Sequence, residues 1–279
     1  MALNALLEDV PYQDLKRAYH QLEKKNKDLV DGLYYAAFVQ QGLMPQARHF
    51  EKLNLPYFIY YSPLHIIGGD FFWIGKKGDW CIYAVGDCTG HGVSGAMLSS
   101  LAIGFLNYVV YSKYFNEIGD ILSEIDKKWI ETFNRNDDAW IDNDWMELSM
   151  IAYNPVTQEM QFAGAGGSIL YLNNENELMR LKGNNYPVGG WQIELNRKYK
   201  TERLQVTNPA KVFLYSDGFK DQFGGLNEKR LGQQKFNKLI HSSAYMNCQN
   251  QKDHLEYQLN VWRGTVAQTD DVCLLRVDL

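Results

Sequence analysis

Apolar and polar residues follow one another at helical spacing from Tyr12 to about Gly42, a stretch rich in Leu, Lys, Glu and Gln that meets no proline before Pro45. This pattern predicts one long helix. With Leu15, Leu22, Leu29 and Ala36 at heptad position d, Tyr19, Asn26, Leu33 and Gln40 fall at position a. The seam is apolar with an interior amide at Asn26, which favours a parallel two-stranded pairing. Packing of the same stripe on the chain's own domain explains it equally well, because about three heptads are the least that define a coiled coil.

Beyond Pro45 the apolar period shortens. Tyr57 to Ser62, Asp70 to Ile74, Trp80 to Val85, Leu148 to Tyr153, Met160 to Ala163, Ile169 to Leu172, Glu202 to Val206, Lys211 to Ser216 and Val272 to Val277 have strand composition and are bounded by Gly, Asn and Asp. Between them, Val93 to Tyr111, Phe115 to Asn134, Gly232 to Ser242 and Gln251 to Val261 return to helical spacing. Strands at hairpin spacing with grouped helices predict an α+β sandwich rather than a doubly wound sheet. The change of texture divides the chain into a helical segment, 1–44, and a larger domain, 45–279.

Composition narrows the classes of function. An apolar content of 46% with 14% aromatic residues supports a substantial core. A formal charge of −5 argues against a nucleic-acid partner, which needs a clustered excess of Lys and Arg. Cys81, Cys88, Cys248 and Cys273 form no C-x-x-C pair, so neither a zinc site nor a disulfide framework is expected. The start MALNALLEDV, with acids at Glu8 and Asp9, lacks an export signal, and a reducing cytoplasm is the expected location. The mostly apolar run Gly95 to Tyr111 is short of the roughly 20 residues that span a bilayer and reads as a buried helix.

Four aspartates recur at the end of an apolar strand, beside glycine or another acid. They are Asp70 in I-I-G-G-D-F-F-W, Asp87 in Y-A-V-G-D-C-T-G-H-G, Asp217 in F-L-Y-S-D-G-F and Asp270, next to Asp271, in Q-T-D-D-V. A carboxylate at a strand end sits on a rigid element with its head free to enter a cleft. Such oxygen-rich sets suit hard divalent cations, and a pair of these can activate water for attack on phosphorus. Asp-Gly is also a common turn dipeptide, and spacing alone does not bring the four together.

The ordered set G-G-D-F-F-W (68–73), V-G-D-C-T-G-H-G (85–92), G-A-G-G (164–167), Y-S-D-G-F (215–219) and Q-T-D-D-V (268–272) resembles the bacterial metal-dependent serine/threonine protein phosphatases, in the sporulation-protein-IIE-like branch of the type 2C (PPM) family. The resemblance runs from about Pro45 to the end of the sequence. It implies an α-β-β-α sandwich of two antiparallel sheets flanked by helices, with two Mn or Mg ions at one end. Asp87 would bridge both ions, with the backbone carbonyl of Cys88 and with Asp70 at the second. Asp217 and Asp270 would serve the first, and Asp271 would support the ligands without holding an ion. Asp144, in D-W-M-E-L, is the nearest match to a third-metal acid, with Glu147 where Asp is commoner.

The implied reaction is attack of a metal-bridging hydroxide on phosphoserine or phosphothreonine, with no protein nucleophile. That removes Cys88 as a tyrosine-phosphatase nucleophile, a role that also needs a C-x5-R loop where this chain has Ser94. His91 is a candidate proton donor to the departing serine oxygen, or a turn residue that orders the loop. Gly90 and Gly92 suit turn conformations, and Ser94 is placed to cap the following helix. The arginine that eukaryotic relatives carry near the first metal acid is absent here, as is usual in the bacterial branch, since no Arg lies between Arg48 and Arg135. The resemblance further implies a phosphorylated bacterial signalling protein of the anti-sigma-antagonist type as substrate, within a partner-switching circuit. The aromatic and acidic stretch Asn134 to Met146 is a candidate recognition flap, or a polar loop. A homodimer through Leu15, Leu22, Asn26 and Leu29 is expected, with input from an upstream sensor or regulator. The competing readings are a phosphatase-fold scaffold with little turnover and a small-molecule phosphoesterase.

Overall fold

The computed structural model describes residues 12–133, 144–190 and 197–279. Two sheets face each other, and the alternation of side chains along their strands decides what each face covers. The first sheet runs in the order β1 (Tyr57–Ser62), β13 (Val272–Asp278), β10 (Lys211–Tyr215), β6 (Ser168–Leu172) and β7 (Leu178–Lys182). Its pairings are all antiparallel. On β13, Cys273, Leu275 and Val277 enter the layer between the sheets, while Val272 and Leu274 join a second cluster under helices. The second sheet runs β2 (Asp70–Lys77), β3 (Trp80–Cys88), β4 (Trp145–Asn154), β5 (Glu159–Ala165) and β9 (Glu202–Gln205), with the short β8 (Val188–Gly189) on β4.

Helices close both outer faces. On the second sheet lie α3 (Val93–Ser112) and α4 (Ile118–Phe133). Ile118, Ile121, Leu122, Ile125 and Trp129 of α4 are fully buried in a stripe of helical period. Although α3 is long and apolar enough to cross a membrane, half of its apolar window is buried inside the protein. Its Ala102, Ile103, Leu106, Val109 and Val110 are core residues. After the one-turn α5 (Gly218–Asp221), α6 (Gln233–Ser243) and α7 (Cys248–Arg263) lie on the first sheet, where their Phe236, Ile240, Leu255 and Leu259 meet Phe58, Tyr60, Phe213 and Leu274. The expected α-β-β-α sandwich is therefore the observed architecture.

The predicted N-terminal helix forms as α1 (Tyr12–Leu43), followed by a short α2 (Ala47–Glu51). Only its last turns touch the sandwich, through Leu33, Ala36 and Ala37 against Ile66, Ile67 and Ala96. Gln40, placed in the heptad seam by spacing, is instead buried against the domain, donating to Gly68 O (2.7 Å) and Ser99 Oγ (2.8 Å). Further back, Leu15, Leu22 and Leu29 are 58%, 66% and 69% exposed. The seam thus splits into an inward end and an uncovered end.

Several elements escape the sequence pattern. The edge strand β7 reads L-M-R-L-K with exposed residues among half-buried ones, so it has no apolar run to betray it. The helix expected from Phe115 begins at Ile118, where Asp120 Oδ2 accepts from the backbone N–H groups of Asn116 and Glu117. Both β2 and β3 extend past their predicted ends, to Lys77 and Cys88.

Candidate metal centre

Antiparallel pairing of β2 with β3 sets Asp70 directly opposite Asp87. Carboxylates so paired share one face at close range. The two other acidic segments reach the same end through the first sheet. Ser216 and Asp217 follow β10, and Asp270 and Asp271 precede β13, its neighbour. Ser216 joins the two sheets: its Oγ donates to Asp70 Oδ2 at 2.5 Å and accepts from Cys273 N at 2.9 Å.

Asp271 is 3% exposed, and both its oxygens are taken by backbone donors, Leu64 N and Gly69 N, each at 2.6 Å. It ties the loop before β2 to the start of β13. The glycines of that loop permit the approach: a Cβ at Gly68 would lie 2.5 Å from Asp271 Oδ2, and one at Gly69 would lie 2.7 Å from Cys88 O. The same loop is touched from behind by Gln40 of α1.

The cluster is electrostatically crowded. Burial, then the charge of Asp87, drives the Asp70 carboxyl well above its ordinary range. For Asp87 the causes are burial, then Asp217, Asp270 and Glu147. Asp217 and Glu147 are also pushed up by burial, each partly relieved by Lys220. Burial and the charges of Asp87 and Asp70 likewise raise the Cys88 thiol, which keeps it protonated and unsuited to nucleophilic attack.

Each expected site residue has a definite place. Asp70, Asp87, Cys88, Asp217, Asp270 and Asp271 lie at the same end of the sandwich. Asp270 is exposed, with Oδ1 accepting from Asp271 N at 2.8 Å. Asp144 stands beside Thr89, whose Oγ1 donates to it at 3.1 Å, and Thr89 in turn accepts from Trp145 N at 3.2 Å. His91 is exposed, its ring 5.2 Å from that of His65. Ser94 does not cap α3, because the helix starts after Gly92 at a φ of 63° and Ser94 Oγ donates within the turn, to His91 O at 3.3 Å. Residues 134–143 of the expected flap lie outside the described residues.

Sequence reasoning passed over Ser216, Lys220, His65 and the contact of Gln40. Ser216 carried a usable signal, being the residue before Asp217 at a strand end; His65 and Gln40 carried none, since their partners are distant in sequence.

The donor set is suited to hard cations. It consists of carboxylates and a main-chain carbonyl, and Asp217 Oδ1 is buried without a hydrogen-bond partner. Among the described residues, no three His, Cys, Asp or Glu side chains converge to ligand distance. Asp70 and Asp271 are turned to protein donors instead.

Structural comparison returns domains of the same fold, a two-sheet sandwich between helix layers. The chain is similar to the SiaA-PP2C domain of Pseudomonas aeruginosa, with a TM-score of 0.81 and 24% identity over 91% of this chain and 98% of that one. It is similar to the PP2C phosphatase domain, with a fragment of the regulatory domain, of SpoIIE from Bacillus subtilis (TM-score 0.64, 16% identity, 81% and 63% covered). It is also similar to RsbX in complex with magnesium (TM-score 0.58, 14% identity, 81% and 95% covered). The sequence model of stage II sporulation protein E (SpoIIE) matches residues 77–279, and the chain belongs to that family. No curated protein matches the sequence.

Proposed function

We propose that this protein is a Mn- or Mg-dependent serine/threonine protein phosphatase acting on a phosphorylated bacterial signalling protein. The observation that carries this reading is the face-to-face pair Asp70 and Asp87 beside Asp217, whose buried Oδ1 has no protein donor. Asp87 would serve both ions, the carbonyl of Cys88 with Asp70 would complete one, and Asp217 with Asp270 the other. When bound, the ions supply an activated water and neutralise the phosphate. Asp271 holds the Gly68–Gly69 loop in place, and Ser216 aims Asp70. Asp144, linked to Thr89, is the candidate for a third ion.

His91 donates the proton to the departing serine oxygen in this reading. Support comes from its exposure and from a ring that makes no hydrogen bond among the described residues, as a loop-ordering side chain would. Substrates of the anti-sigma-antagonist type and a regulatory role for residues 1–44 follow from the family resemblance, and a cytoplasmic location from the four scattered cysteines. The exposed Leu15, Leu22, Asn26 and Leu29 are the proposed homodimer seam, and an upstream regulator would act through it.

The test is phosphate release from a phosphoserine protein with Mn. Release that is lost in Asp87→Asn supports the proposal. No release, or release equal in parent and variant, overturns it, and preference for nucleotides over phosphoprotein assigns a phosphoesterase instead.

A further inference from the structure

At the end of β2 remote from Asp70 lies a cavity of about 550 Å³, within the size range of small-molecule sites. Met44, from the corner where α1 gives way to α2, and Trp73 of β2 form its apolar floor, and Tyr111 of α3 forms a wall. Arg48, Lys52 and Lys76 are among the other lining residues. Arg48 lies in α2, and Lys52, four residues on, follows its end in helical backbone conformation, so the two project to one side, while Lys76 comes from the neighbouring sheet.

This concentration of positive charge is unusual in a chain of formal charge −5. The lining contains no aspartate or glutamate among the described residues. Nor does any of the three cations make an ion pair among them. Three like charges around one opening repel one another, and an anion seated between them relieves that repulsion.

The aromatic part is built in advance. Trp73 is 2% exposed, and its Nε1 donates to Asn107 Oδ1 at 2.9 Å. A Cβ at Gly75 would come within 2.2 Å of the indole, so glycine lets the ring lie against the strand. The Tyr111 ring stands 6.3 Å from it and is 57% exposed, free to stack on a flat ligand.

We infer that this pocket binds a nucleotide, with phosphate among Arg48, Lys52 and Lys76 and the base against Tyr111. Cations at the rim with an apolar, aromatic interior match an anion that carries a flat ring; inorganic phosphate would leave the interior unused. The site is separate from the acidic cluster and independent of the phosphatase reading. Because Met44 and Trp73 belong to different elements, an occupant bridges the base of α1 to the sheet that carries Asp70.

The test is calorimetric titration of the full chain with ATP, and separately with inorganic phosphate, at about 0.15 M salt with a chelator so that no cation links ATP to the acids. Binding of ATP with a Kd below about 100 μM, at least about tenfold tighter than phosphate, is expected. Arg48→Met with Lys76→Met weakens ATP by about tenfold or more, and Tyr111→Ala weakens ATP but not phosphate. Asp217→Asn leaves ATP binding unchanged. The inference is overturned if ATP binds no tighter than phosphate, if the double variant, folded by circular dichroism, binds like the parent, or if Asp217→Asn abolishes binding.

Discussion

Strand β2 begins in one site and ends in another, and the two are opposite in charge. At its first residue, Asp70 faces Asp87 in a group of carboxylates whose nearest cationic relief is Lys220. At Lys76 it enters a cavity lined by three cations and no acid. The acidic end is buried and tightly hydrogen-bonded through Ser216 and Asp271, whereas the cationic end is open. Like charges are brought together in both places, at a cost to the empty fold that binding of the opposite charge offsets. The difference in burial says how strongly each end asks for its counter-charge. Water screens three exposed cations well and buried carboxylates poorly.

The largest expected effect at the acidic end is on turnover. Asp87→Asn should lower phosphate release from a phosphoserine protein by at least about 100-fold, because even residues that only orient metal ligands change activity or affinity by about 10–100-fold. Phosphate assays at saturating Mn measure it, and an active variant would place the chemistry elsewhere. Ser216→Ala removes the donor to Asp70 and should weaken Mn binding by roughly tenfold. Equilibrium titration of Mn checks that without reference to turnover.

Replacing Gln40 by Leu should lower stability by about 1–3 kcal/mol, since Gly68 O loses its shorter buried hydrogen bond and keeps that from Ser99 Oγ at 3.4 Å. If α1 communicates with the metal loop, Mn affinity falls as well; unchanged affinity would confine Gln40 to packing. The smallest effect concerns stability without metal. Asp70 and Asp87 titrate above the ordinary carboxylate range only in the folded chain. Below about pH 4 both states hold their protons, and no penalty arises. As pH rises past that point, the unfolded chain ionises more readily and the fold loses stability. Asp87→Asn should therefore melt about 2–4 °C higher than the parent at neutral pH in chelator, for roughly 1 kcal/mol of relieved repulsion. The gain should vanish in acid and reverse with Mn, and calorimetric scans at two pH values test it.

Much of the fold was readable from local pattern. Strands such as Trp80 to Val85 are apolar runs because the other sheet covers one face and helices the other, so burial wrote itself into composition. By contrast, β7 at the sheet edge and α2 at the chain corner left almost no trace. Acids of the site were legible as a recurring setting at strand ends. Their approach was not, because Ser216, the neighbour of Asp217, reaches Asp70 across 146 positions of sequence. The heptad reading of α1 was correct as to helix and left its partner open: the same stripe packs inward at Leu33, Ala36 and Gln40 and lies exposed at Leu22 and Leu29.

By itself the sequence determined most of the elements, their order along the chain, and the oxygen-rich chemistry of the motif residues. These are properties of neighbours, set by side-chain period, turn residues and the identity of the acids. Only the tertiary structure decided that Asp70 lies opposite Asp87, that Asp271 spends both oxygens on the loop before β2, and that Arg48 and Lys76 line one cavity with Trp73. Those pairings depend on strand register and layer packing, where the free energy of burial is shared among residues far apart in the chain.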